Sequence, residues 1–175
     1  FLLVNGVLLW WLPGSNVLEF GYATIDPLFA NAPYVFLLLI PAITMRNFAE
    51  EKKSGTIETL FTKPISDIKI ILAKYFASLV LVVLSLLPTL IYVYTVAYLA
   101  NPRWDIDFGA VWGSYIGLLF LASVYIAIGI FASTLTDNQI ISFIYSVLIC
   151  LILTFGMSEL ANFSSVRVID LLILK

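Results

Sequence analysis

Four long stretches of this chain carry no charged residue, at 27–45, 75–102, 108–136 and 138–158. The first has 19 residues and the others are longer, and about 20 apolar residues cross a hydrocarbon core of roughly 30 Å as a helix. All four are therefore expected to span a membrane. The apolar run FLLVNGVLLWWL at the start is too short to span alone, so residues 1–12 read as the outer part of a truncated first helix. No n-region or cleavage site precedes Phe1, so the run does not read as a signal peptide. The closing IDLLILK reads as the start of another span. The expected fold is all-α, a polytopic transmembrane helix bundle with about five helices present and a sixth missing. Residues 1–175 form one transmembrane domain within it.

Between the first two long stretches the pattern turns polar over 46–74. This segment holds six of the nine basic residues, Arg46, Lys52, Lys53, Lys63, Lys69 and Lys74. Basic residues concentrate on the cytoplasmic side of membrane proteins, which places the segment inside. Alternation then sends 28–45 inward, 72–99 outward, 109–133 inward and 139–157 outward. An outer loop is expected at 100–108, a tight inner turn at 134–138, and an outer segment at 158–175. Trp10, Trp11, Trp104 and Trp112 all fall at the outer interface of this arrangement, where indoles favour the headgroup region.

Punctuation agrees with these bounds. Pro13-Gly14 and Asn101-Pro102 mark turns, and Pro41 and Pro88 predict kinks inside spans. Gly109, Gly113 and Gly117 recur every fourth residue, and Gly129 and Ser133 repeat the spacing further down the same helix. Small residues so spaced let helix backbones approach closely, either within the chain or at a seam between subunits.

Composition narrows the class. Hydrophobic residues make up 62% of the 175, charged residues 11%, and the mean hydropathy is +1.05, whereas a soluble domain is about a quarter charged. The net charge of −2 gives no basic surface for nucleic acid. There is no His, the commonest general base and metal ligand, and no phosphate-cradling Gly-x-x-x-x-Gly-Lys-Ser/Thr loop. The spans hold no Asp, Glu, Lys or Arg, which disfavours a proton-driven carrier or a voltage sensor. Cys150, within a span, reads as a packing residue. Ser and Thr residues in the spans (Thr44, Ser78, Ser85, Thr89, Ser114, Ser123, Ser142, Ser146, Thr154) are expected to bond carbonyls one turn back or neighbouring helices. Tyr92, Tyr94 and Tyr98 read as an interfacial belt. The chain is not expected to be an enzyme.

The polar segment predicts a short amphipathic helix over 54–63. Ile57, Leu60 and Phe61 fall at i, i+3 and i+4 and share a face. Gly55 separates this helix from the one before it, and Pro64 ends it. Ser66 can cap the next helix, with Asp67 in its first turn. Such a spur could transmit a displacement to the two spans it joins, or rest its apolar face in the bilayer surface. The run EEKK reads as a solvated helix end with local ion pairs.

The run FAEEKKSGTIETLFTKPIS, followed by IKIILAKYFASLV, resembles the inner loop of type-2 ABC exporter permeases, with an acidic pair, Gly-Thr, an apolar helix and a Pro. The ordered series LIPAITMR, GSYIGL and LTDNQI, with WWLPG before it, resembles the gliding-motility permeases of the GldF type over residues 10–157. The resemblance implies a permease working in a dimeric transmembrane assembly, in a bacterial inner membrane, with a separate ABC ATPase subunit and a second permease or auxiliary membrane subunit. ATP and Mg would be bound by the ATPase and no cofactor by this chain. It implies a coupling loop at 46–70 with its coupling helix at 54–63, and an outer segment at 158–175 forming part of a gate. The ATPase-coupling residues would be Glu50, Glu51, Gly55, Thr56, Ile57, Glu58, Leu60, Phe61 and Pro64. Two alternatives remain open: a permease for another cargo (a drug, a lipid, or export for metal maturation), and a non-transporting membrane anchor that recruits a cytoplasmic protein.

Overall fold

The computed structural model describes the backbone of residues 1–11, 25–61, 66–100 and 106–173, and side chains within 1–11, 25–58, 66–100 and 106–156. The described residues are helical, with no strand among them. In chain order the elements are α1 (Leu2–Trp10), α2 (Asp26–Thr44), α3 (Arg46–Lys53), α4 (Thr56–Phe61), α5 (Asp67–Leu86), α6 (Leu90–Leu99), α7 (Phe108–Leu135) and α8 (Gln139–Ile173). Among the described residues, four segments are long and apolar enough to cross a membrane: Asp26–Lys53, Asp67–Leu99, Phe108–Leu135 and Gln139–Gly156. The expected helix bundle is the observed one.

Helices α2 and α7 form the centre. Ala32, Phe36, Ile40 and Thr44 recur every fourth residue on α2 and are fully buried, as the ridge of a helix pressed into a groove must be. They face α7, where Ala122, Tyr125, Ile126, Gly129 and Ser133 are buried. The ring of Phe29 meets Tyr115 edge-on at 5.1 Å, and Thr44 lies against Gly129, so the two helices run in the same direction. Outward from this seam the bundle shows Phe76, Leu84, Ile91, Phe120, Phe131 and Ile152, all large, apolar and exposed. A bilayer is the solvent that makes such a surface stable.

At Pro88 the helix changes its hydrogen bonding. Proline has no amide hydrogen to give the carbonyl one turn back, and the helix tightens into a 3-10 turn at Leu87–Thr89 between α5 and α6. Thr89 Oγ1 bonds the Leu86 carbonyl at 2.6 Å and shares a 2.8 Å hydrogen bond with the Tyr115 hydroxyl. Pro33 and Pro41 both lie inside α2 without interrupting it. Back-bonding hydroxyls are the rule elsewhere: Ser78 to Lys74, Ser85 to Val82, Ser123 to Phe120 and Thr154 to Cys150. Ser142 and Ser146 differ, being buried with no partner for their hydroxyls among the described residues.

One expectation is extended and one corrected. The outward span expected over 139–157 matches the apolar part of α8, Gln139–Gly156, and the helix itself continues without a break to Ile173. Residues 157–173 contain neither Pro nor Gly, so nothing in the backbone stops the helix. Tyr92 is not a belt residue. Its hydroxyl bonds the Leu2 carbonyl at 3.1 Å and fastens α6 to α1, while Tyr94 and Tyr98 are exposed. The turns at Pro13-Gly14 and Asn101-Pro102, and Trp104, lie outside the described residues.

Candidate functional site

At Met45 the first long helix breaks, and α3 sets off as a separate piece. A broken helix leaves amide groups without carbonyl partners. Here the gap is filled from another span: Ser133 Oγ on α7 accepts from the amides of Phe48 (2.9 Å) and Ala49 (3.0 Å). Its own hydroxyl lies 3.1 Å from the Met45 carbonyl, to which it donates. One serine thus satisfies both sides of the break. Phe48, Ala49 and Ser133 are all buried.

Charge fastens the same helix at two further points. Lys52 Nζ donates to the Thr134 carbonyl at 2.6 Å, at the C-terminal end of α7 where the helix dipole favours a cation, and lies 3.8 Å from Asp137. Lys74 reaches over from α5 to Glu51, with Nζ 2.6 Å from Oε1. It also donates to the Asn47 carbonyl and sits 4.4 Å from the centroid of the Phe48 ring. Asn47 Nδ2 donates to Ser78 Oγ at 3.2 Å, giving α5 a second tie. In the run EEKK, Glu50 and Lys53 are exposed, but Glu51 and Lys52 do not form local pairs. Their ionic partners stand on α5 and on the α7–α8 turn, because α3 is held between those elements.

Beyond α3 the chain turns at Ser54 and Gly55. The Ser54 amide bonds the Glu50 carbonyl at 3.0 Å and the Gly55 amide bonds the Lys52 carbonyl at 3.1 Å. Gly55 has φ +71°, a left-handed conformation that stops a helix and favours glycine. The Ser54 and Thr56 hydroxyls share a 2.8 Å hydrogen bond across the turn. Helix α4 then leaves in a new direction, so α3 and α4 make an elbow.

The expected coupling residues fall unevenly on this elbow. Glu50, Gly55, Thr56 and Glu58 are exposed, and Glu51 is bound to Lys74. Ile57 is partly buried and packs against the core of its own chain. Leu60 and Phe61 belong to the backbone of α4, but their side chains, and Pro64 altogether, lie outside the described residues. Of the glycines, Gly129 packs closely: a Cβ there would stand 2.8 Å from Thr44 Cβ. Gly109, Gly113 and Gly117 are exposed, and among the described residues nothing lies within 4 Å of a Cβ at Gly113 or Gly117. Close approach within the chain thus occurs at the inner end of the series and not along its upper half.

Sequence reasoning missed Ser133, Lys74, Asn47 and Ser78 as members of the site. Ser133 stood out for its spacing behind Gly129, but as a small residue and not as a hydroxyl. Lys74 and Ser78 are one turn apart on α5, a spacing that places both on the side facing α3.

Residues 13–169 match the family model described as "ABC-2 family transporter protein". The chain belongs to the ABC-2 transporter family. No curated protein and no solved structure matches it. Membership makes this a permease, the multi-pass membrane part of an ABC transporter, and the ABC-2 family partners with an ABC ATPase subunit. In this ABC-2 chain the elbow stands at the end of the bundle shared by α2, α5, α7 and α8.

Proposed function

We propose that this ABC-2 permease belongs to an ATP-driven exporter of the gliding-motility type in a bacterial inner membrane, and that the elbow receives the movement of its ATPase. The observation that carries this reading is the bonding of α3 to two different spans, through Ser133 and Lys52 to α7 and through Lys74 to α5. A segment meant merely to lie on the bilayer surface needs no such ties. In this reading ATP and Mg are bound by the separate ATPase. Closure of that ATPase pushes α4, α3 passes the push inward, and the spans shift against a second permease or auxiliary membrane subunit, giving alternating access. Leu60 and Phe61 dock on the ATPase together with the exposed Thr56 and Glu58. Ile57 secures the base of α4, Gly55 and Pro64 set its angle, and Glu50 and Glu51 belong to the connection leading to it.

The test is ATPase activity of the co-purified full-length complex, native against Leu60→Glu. Coupling predicts that the variant inserts normally and loses the activity that depends on the permease. If no ATPase co-purifies, or the variant behaves as the native protein, the chain is an anchor and not a driven permease.

A further inference from the structure

The two attachments of α3 differ in kind. Toward α7 the helix packs closely, and the Ser133 hydroxyl that holds its backbone is fully used, accepting two bonds and donating one. Toward α5 the attachment is made through side chains. Lys74 and Glu51 are partly solvated, at 17% and 33% exposure, and Glu51 Oε2 is buried without a partner among the described residues. A network with every group satisfied is rigid, whereas one that leaves a buried carboxylate oxygen unmet gives up part of its advantage.

We propose that α3 is fastened permanently to α7 and reversibly to α5, with the Glu51–Lys74 pair as a latch that opens when the elbow moves. Helices α2 and α3 and the inner end of α7 then travel as one body, and the inner end of α5 moves against them, pivoting on its packing with α7 and on the Thr89–Tyr115 bond further along. The line of separation runs between α3 and α5, across the Glu51–Lys74 pair and the bonds of Asn47 to Lys74 and Ser78. Opening frees Glu51 to water, which can hydrate both carboxylate oxygens. The role of the latch in transport rests on the coupling reading above, but its existence does not.

The experiment measures two distances by spin labelling in the full-length permease reconstituted in bilayers, with Cys150 and any cysteine outside these 175 residues replaced by Ala. One pair of labels joins Lys53 on α3 to Ile68 on α5, and the other joins Lys53 to Leu135 on α7; all three positions are exposed. Lys74→Met, Glu51→Gln and the double variant are each expected to add the same second, longer population to the α3–α5 distance while the α3–α7 distance stays single. The double variant should go no further than Lys74→Met, which removes the ion pair together with the contacts to the Asn47 carbonyl and the Phe48 ring. If all three variants keep a single α3–α5 distance, there is no latch. If both distances broaden together, Lys74 is a general packing residue and the proposal fails equally. Adding the ATPase partner trapped with nucleotide then separates the two ideas. A latch present in the variants but unmoved by nucleotide would overturn the coupling reading and leave the latch standing.

Discussion

Thr44 on α2 occupies the space that any side chain at Gly129 on α7 would need. A Cβ at Gly129 would stand 2.8 Å from Thr44 Cβ and 3.2 Å from its Cγ2. Both residues lie at the tightest point of the central seam, one helical turn from the Ser133 bonds that hold α3.

Gly129→Ala is accordingly expected to destabilise the bundle by about 1–3 kcal/mol, the usual cost of forcing extra volume into a packed seam. Thermal unfolding of the purified protein in detergent checks it. Adding Thr44→Ala should recover part of the loss, so that the double variant is more stable than the sum of the singles predicts. Full additivity would mean that the two residues do not meet.

At Gly55 the obstacle is the backbone itself. Nothing among the described residues lies within 4 Å of a Cβ there, yet φ is +71°. Gly55→Ala should therefore cost about 1–2 kcal/mol from conformation alone, and Gly55→Asn less, because Asn tolerates the left-handed region. Unfolding of the three proteins in parallel gives the order; equal losses for Ala and Asn would contradict it.

Thr89 and Tyr115 make the buried polar contact beside the 3-10 turn. Thr89→Val leaves the Tyr115 hydroxyl buried without its partner, whereas Tyr115→Phe removes the needy group along with the bond. The first should cost roughly 1 kcal/mol or more, and the second less, near the ~0.6 kcal/mol average for such bonds in membrane helices. Stability measurements on both variants decide whether Thr89 matters through this bond or through its tie to Leu86.

Asp107 caps α7, its Oδ1 accepting from the amides of Gly109 at 2.9 Å and Ala110 at 3.1 Å. Asp107→Ala is expected to cost about 1 kcal/mol and Asp107→Asn much less, because Asn also caps. Amide hydrogen exchange at residues 108–111 should accelerate in the Ala variant and remain close to native in the Asn variant.

The parts of this fold that could be read from the sequence are those set by local chemistry. Uncharged length gave the spans, Gly55 gave the break before α4, and Pro88 gave the distortion near the end of the second span. The Glu51–Lys74 pair was not readable, because the partners are separated by the whole of α4 and no helical spacing relates them. Ser133 was noticed as a small residue, while its role depends on a break at Met45 that has no proline or glycine to announce it. The full length of α8 was not readable for a different reason. Glu159, Arg167 and Asp170 end the apolar pattern, and such charges report where a helix leaves lipid, not where it stops being a helix.

Helix α8 has 35 residues, about 52 Å at 1.5 Å per residue, against a hydrocarbon core of roughly 30 Å. It begins beside the α7–α8 turn, where Asp137 meets Lys52, and leaves the bundle at the opposite face. A stiff rod of that length acts as a lever. Tilting it by about 10° about its foot would swing its far tip through about 9 Å (length from the 1.5 Å rise). A disturbance near Lys52 on one side of the bilayer would then be felt as a large sweep on the other, without any signal passing through the lipid-facing helices between.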